Sequence, residues 1–274
     1  MSQTREAPRV VDPAADARFR EIAREVAKNP DDVWFGRYVE YEWEHDRHVY
    51  ELLPEPLDGK KVLEFGHNMG ATSIVLSHLG ADVTAIEVSP RLSEVAKVNA
   101  ARYGVSGRVR FLLNDRTPSV LPLPDASFDV ITCNSVLEYV DHPILAPVLR
   151  ELHRVLKPNG LIVITATASR FPPREVHSGR WLVNWVPRWV DRFVAKGPIQ
   201  RGLWPWELRC GFGRGYRNLD VLDRGRAYVG ARRRMGASPF KCAVASVLGR
   251  ILAPLGLTVG LLAPNISMTL RKPA

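Results

Sequence analysis

The sequence predicts an α/β protein: a doubly wound, mostly parallel sheet of seven strands, finished by a C-terminal antiparallel hairpin and carrying a helical lid as an insertion. Three observations predict it. Short apolar runs alternate with stretches of helical spacing between Lys60 and Ala168. The first of these runs opens into a glycine-bearing loop, "EFGHNMG". The chain closes on two apolar runs joined by the three-residue turn "APN". In an open parallel sheet the ligand lies beyond the carboxyl ends of the strands, so functional residues are expected there.

Taken in order, the polar start "MSQTREAPRVVDPAADARF" has no apolar core of the kind a signal peptide carries, and reads as a tail. Residues 18–28 and 38–53 repeat apolar side chains at helical spacing on either side of "KNPDD", which makes 1–57 a tail plus a helical flap. "KVLEF" is the first strand, and the helix 72–79 stops at Gly80. "DVTAIEV" is the second strand, followed by a helix over 90–103 with Pro90 in its first turn and Gly104 at its end. "RVRFLL", "FDVITCN" and "GLIVITATA" supply three more strands, with a helix over 143–156 and the turn "KPNG" before the last. These complete a core over 58–168. The alternation then stops, and 169–238 is the lid, placed by its position after the fifth strand above the ligand edge. A buried helix over 240–253 and the hairpin "LTVGLL"/"ISMTLRK" make 239–274 the part that completes the core.

A chain of 274 residues, 46% of them hydrophobic, buries one substantial core with room for an insertion, and two full domains would be cramped. From Arg170 onward there are 19 Lys or Arg against 5 Asp or Glu, a charge of +14 that leaves −5 for the rest. So uneven a distribution suggests an anionic partner or a solvated basic face. Cys133, Cys210 and Cys242 are odd in number and lie outside any CxxC spacing, which argues against a disulfide framework or zinc site and fits a cytoplasmic protein. The most apolar stretch, 242–263, is interrupted by Arg250, Pro254 and Gly256 and is not a membrane span. Phosphate and metal motifs such as GxxxxGK[ST] and HExxH are absent from the sequence.

The glycine loop selects among cofactors. A dinucleotide fingerprint needs G-x-G-x-x-G, and here Gly66 and Gly70 stand with Asn68 between them. Asparagine is one of the few residues that tolerates a left-handed backbone, so Asn68 can replace a glycine with modest strain. The replacement harms a diphosphate site more than one for a cofactor without phosphate. Glu87, at the end of the second strand, is at the spacing of an acid that accepts hydrogen bonds from ribose hydroxyls.

These residues resemble the class I S-adenosylmethionine-dependent methyltransferases, in particular the methyltransferase type 11-like, small-molecule subgroup that includes quinone-biosynthesis enzymes. The family's acid-x-G-x-G-x-G loop is matched at Glu64, Gly66 and Gly70, with Asn68 as the departure. "LPLPDASFDVITCNSVLEYVDHP" resembles its fourth-strand signature, and "LRELHRVLKPNGLIVIT" the helix and strand that follow. The resemblance implies a Rossmann-like methyltransferase fold and S-adenosyl-L-methionine as cofactor. It assigns Glu87 to the ribose and Asp115 to the adenine amino group, and adds Asn134 to the cofactor-binding set.

Methyl transfer to a hydroxyl is helped by a base, and His142, just after the fourth strand, and His177, in the insertion, are the catalytic candidates. Within "RWLVNWVPRWVDRFV", residues 180–194, Trp and Val gather on one helical face and arginines border it. Such a helix packs as a lid or makes a peripheral membrane contact. Further on, arginines interleave with Phe212, Tyr216 and Tyr228, a pattern suited to an acidic acceptor and also to RNA. The fourth strand ends in "NSVLEY", unlike the NPPY-type signature of enzymes that methylate base amino groups, which argues against nucleic acid. The expected function is methylation, at oxygen, of a small or lipid-like acceptor, with an RNA methyltransferase and a non-catalytic cofactor-binding scaffold as the competing readings.

Overall fold

Strands that are apolar along their whole length must be covered on both faces, and this chain meets that requirement with two packed layers. In the computed structural model, which describes residues 6–25, 28–115, 119–190, 193, 201–213 and 215–274, five parallel strands are β1 (Lys61–Phe65), β2 (Asp82–Glu87), β3 (Val109–Leu113), β4 (Phe128–Asn134) and β5 (Leu156–Ala168). Arg217–Asn218 forms β6 and Asn265–Arg271 forms β7, and the sheet order is β3-β2-β1-β4-β5-β7-β6. Successive residues of β1 serve opposite layers. Leu63 and Phe65 pack with Leu145, Leu149 and Leu152 of helix α6 (His142–Val155), whereas Val62 packs with Ile74, Val75 and Leu76 of helix α4 (Ala71–His78).

The strand order reverses between β1 and β4, which are hydrogen-bonded neighbours. That reversal opens a crevice at their carboxyl ends. Three helices precede the sheet, α1 (Pro13–Glu25), α2 (Tyr38–Glu44) and α3 (Arg47–Tyr50), and the last two border the crevice. The flap joins the core through Val39, Trp43 and Tyr50, the last exchanging a 2.8 Å hydrogen bond with Thr132 of β4. Helix α1 is fixed to α5 (Pro90–Arg102) by Arg102, which is nearly fully buried. Its guanidinium donates to Asp16 and Asn99, both at 2.9 Å, and lies 4.0 Å from the centre of the Phe19 ring.

The parallel sheet with its antiparallel terminal strand is present, but three local expectations change. "KPNG" lies within β5, as an irregularity with Asn159 at φ +62° and a register shift against β4. "LTVGLL" is not the hairpin's outer arm: Val259–Leu262 is a helical turn, started by Thr258 accepting from the Leu261 amide, and β6 pairs with β7 instead. Thr269 of β7 donates its backbone N–H to the buried Asp220 carboxylate at 2.8 Å, just past the short β6. The third is the helix Pro239–Leu252, expected to be buried, where only Cys242 and Gly249 are.

The amphipathic helix expected over 180–194 is not formed over 180–190. Residues 169–190 contain turns, two isolated bridges and one 3-10 turn at Arg188–Val190, and positions 191, 192 and 194 lie outside the described residues. The reason is local and polar. Asn184 is buried and donates to the carbonyls of Ser169 and Pro172 at 3.3 and 2.9 Å, while Arg170 donates to the Asn184 carbonyl at 2.7 Å. Leu182 at φ +64° and Pro187 oppose helix as well.

Replacing Arg102 by alanine strands Asp16 and loosens α1. The expected loss is about 3 kcal/mol of stability, read by chemical denaturation, with earlier proteolytic cleavage of the N-terminal segment than of the core.

Candidate functional site

The loop after β1 is shaped by three residues with left-handed backbone: Gly66 at φ +77°, Asn68 at +49° and Gly70 at +78°. At Gly66 a β-carbon would stand 2.1 Å from Val136 Cγ2, so glycine is required by space as well as by angle. Gly70 precedes α4 and donates its N–H to the His67 carbonyl at 2.7 Å. Asn68 donates its N–H to Glu87 Oε2 at 3.0 Å, and Glu87 Oε1 accepts from the amides of Val88 and Ser89 at 2.8 and 3.1 Å. One buried carboxylate therefore sets both the loop after β1 and the turn after β2.

Below this loop lies a cavity of about 510 Å³, within the range of small-molecule sites. Glu64, Gly66, His67, Asn68, Glu87 and Asn134 are among its wall residues, and Ile86, Val88, Leu92 and Val136 form its apolar sides. The residues fit a nucleoside joined to an amino acid. An acid stands at the β2 end, the apolar walls suit a planar base, and polar groups lie near β1 and β4. His67 is one of the wall residues, and its buried Nε2 has no hydrogen-bond partner among the described residues.

The other sequence-predicted residues fall differently. Gly70 shapes the loop without lining the cavity, and Asp115 is exposed and outside the wall. Its neighbour Asn114 lines the cavity instead, held by donating to the Val120 carbonyl at 3.0 Å. His142 sits in the first turn of α6, exposed, with Nε2 2.8 Å from Glu207, and is not among the wall residues of this cavity or of the larger one beside it. Ile144 and Val148 of the same helix line the smaller cavity, and His142 in its first turn does not.

His177 lines a second, larger cavity of about 900 Å³. The two cavities share Tyr38, Asn134 and Ser135 and so meet at the end of β4. Trp34, Tyr41, Leu52 and Leu53 from the flap form one side of the second cavity, and Leu222, Arg226 and Arg232 from the insertion form another. His177 Nε2 is 3.6 Å from Glu138 Oε1, an ion-pair distance, and the Glu138 carboxylate holds the imidazole above its ordinary pKa. Glu138 is itself fixed, accepting from Ser135 Oγ at 3.0 Å and from the Ala168 amide at 3.2 Å.

Two buried acids brace the junction. Glu42 of the flap accepts from Asn134 Nδ2 at 3.0 and 3.2 Å and from Thr72 Oγ1 at 3.3 Å, and burial pushes its pKa well above the usual carboxylate range. Asn134 Oδ1 accepts from Thr165 at 3.0 Å, so the Asn134 side chain is committed to the protein on both sides. Burial pushes Glu64 up to about 8, and Ser73 Oγ donates to it. Sequence reasoning missed Tyr38, Glu42 and Asn114. The available signal for Glu42 was an acid placed between Val39 and Trp43 on the buried side of a short aromatic helix.

The methyltransferase domain family matches residues 63–164. The ubiquinone biosynthesis O-methyltransferase of Pseudomonas syringae pv. tomato is 30% identical over 202 residues, which cover 71% of this chain and 81% of that protein. The mitochondrial ubiquinone biosynthesis O-methyltransferase of Schizosaccharomyces pombe is 41% identical over 113 residues, covering 41% of this chain and 39% of its own. Among solved structures, an S-adenosylmethionine-dependent methyltransferase from Mesorhizobium loti superposes with a TM-score of 0.51 at 20% identity, covering 84% of this chain and 97% of that one.

Glu64 gives a pH signature. Because folding raises its pKa from 4.5 to about 8, the neutral form is favoured in the folded state, and stability declines as pH rises through that window. Glu64→Gln cannot ionise. The difference in thermal midpoint, wild type minus variant, is expected to fall between about pH 4.5 and pH 8 and to level off above it; a flat difference across that window would contradict the assignment.

Proposed function

The chain belongs to the class I S-adenosylmethionine-dependent methyltransferases, and from that premise we propose that it methylates a hydroxyl oxygen of a small acceptor with an apolar tail, held in the 900 Å³ cavity. The observation that carries this reading is the meeting of the two cavities at Tyr38, Asn134 and Ser135, with His177 and Glu138 beside the junction. The relatives, named as O-methyltransferases of ubiquinone biosynthesis, favour oxygen as the target atom and a phenol with a prenyl tail as the acceptor.

S-adenosylmethionine, when bound, supplies a methyl group already activated by its sulfonium. What remains for the protein is orientation, exclusion of water and management of one proton, and orientation alone is worth several orders of magnitude. Glu64, Gly66, Asn68, Gly70, Glu87 and Asn134 form or shape the cofactor cavity in this reading, Glu87 serves the ribose, and Asn114 takes the place first given to Asp115. His177 accepts the acceptor's hydroxyl proton at Nδ1, the ring nitrogen not turned to Glu138, and Glu138 stabilises through Nε2–H the imidazolium that results. Trp34, Tyr41 and Leu52 enclose the acceptor's apolar part, while Arg226 and Arg232 stand where a carboxylate or phosphate on it would be met.

In this reading 1–57 is the flap, 58–168 the cofactor-binding core, 169–238 the acceptor-selecting insertion and 239–274 the closing segment. No helix among the described residues is long and apolar enough to cross a membrane. Trp181, Trp185 and Trp189 are each more than half exposed, and we propose the turn region 180–190 as a peripheral membrane contact that does not require helix.

The function is tested by release of S-adenosylhomocysteine when the protein and S-adenosylmethionine are offered phenols with and without prenyl tails. Turnover is expected with the tailed phenols, and its absence with every hydroxyl acceptor sinks the reading. His177→Ala should lower kcat by about 10²-fold or more with S-adenosylmethionine affinity unchanged. Glu138→Gln should move the acidic limb of the kcat/KM profile to lower pH, since losing the carboxylate lowers the His177 pKa and the base must be neutral to act. Glu87→Ala should weaken S-adenosylmethionine binding at least about tenfold by calorimetry.

A further inference from the structure

The helix Pro239–Leu252 is held by its narrow side. Cys242 and Gly249 are its buried residues, and a β-carbon on Gly249 would stand 2.5 Å from the Arg224 carbonyl, so the helix rests directly on the Arg224–Gly225 turn. This contact fixes which side faces out. Phe240, Val244, Val247, Leu248, Ile251 and, just beyond the helix, Leu255 are between 42% and 78% exposed. At 100° per residue they fall, with Ala243 and Pro254, within an arc of about 140°. Lys241 lies at one border of that arc and Arg250 at the other. Scattered exposed apolar residues need no explanation, but a continuous helical stripe with a cation along each edge does.

We propose that this face is the seat of a membrane surface bearing anionic lipid, with the helix lying in the plane of the interface. The apolar stripe enters at the level of the acyl boundary, and Lys241 and Arg250 extend to the headgroups on either side. Charge decides between a bilayer and the obvious alternative, a second copy of this chain. From Arg224 to the C-terminus there is no Asp or Glu, while Arg224, Arg226, Arg232, Arg233, Arg234, Lys241 and Arg250 all lie between 224 and 255. A twofold pairing of the stripe would set cationic edges against cationic edges with no acid in the segment to relieve them. An anionic lipid surface complements Lys241 and Arg250 at the borders of the stripe, each cation near it being worth about a fivefold gain in affinity, whereas Arg226 and Arg232 line the acceptor cavity and Arg234 is paired with Glu51 at 3.1 Å. This helix is separate from the 180–190 region, and the inference holds whichever acceptor the enzyme uses.

The test uses the full chain and vesicles of phosphatidylcholine with or without phosphatidylglycerol, read by flotation. The wild type is expected to float with the phosphatidylglycerol vesicles, to release as salt is raised, and to float poorly with phosphatidylcholine alone. Val247→Glu with Ile251→Glu should reduce flotation at least about tenfold, with thermal midpoint and S-adenosylmethionine affinity unchanged because both side chains point to solvent. Lys241→Gln with Arg250→Gln should weaken binding to the anionic vesicles and leave any residual binding to the neutral ones as it was. Three results overturn the inference: no flotation of the wild type, flotation lost in a Trp181, Trp185 and Trp189 triple-serine variant but kept in the double-glutamate one, or a dimer in solution that the double-glutamate variant splits while vesicle binding is absent.

Discussion

The site depends on one buried carboxyl from outside the sheet. Glu42 has no water to turn to, and a polar group so placed is tolerated only with partners, which here are the side chains of Asn134 and Thr72. Those partners sit at the carboxyl end of β4 and the first turn of α4, and both residues line the smaller cavity. The contact that docks the flap thus also holds the junction. The same contact brings Tyr38, one helical turn earlier, to the place where the two cavities meet.

Much of this was legible in the sequence because it is decided locally. Strands that alternate between two apolar layers, a proline in the first turn of α5 and a glycine loop whose central Asn68 takes a left-handed angle all follow from rules that act over a few residues. Glu64 and Glu87 were readable for the same reason, since each is placed by a strand end. His177 and Glu138 come together only through the fold: one lies in the insertion, the other just past β4, and neither segment has a period that announces the other.

What was not legible turned on tertiary choices. The period of 180–194 reads as helix, yet Asn184 gains buried hydrogen bonds to two carbonyls by leaving helical geometry, and Arg170 gains a third. Local polar bonding of this kind competes directly with the helix and here prevails. The apolar run from Cys242 reads as buried, and the contact at Gly249 reverses that by presenting the glycine side inward and the large side chains outward. Asp115 and Asn114 differ by one position, and a side-chain period of two in the preceding strand makes one position enough to exchange wall for solvent.

At the far side of the sheet, β6 covers β7 for only two residues, and the Thr269 amide beyond it is taken by the Asp220 carboxylate. A bare strand border invites another chain to continue the ladder, and proteins commonly guard against this with covering segments or charge. Here a side chain occupies the donor that an incoming peptide would need, and the Val259–Leu262 turn crowds the next stretch, with Gly260 close against the Ser267 carbonyl. The fold can therefore end its sheet almost without a terminal strand and still resist edge-to-edge polymerisation.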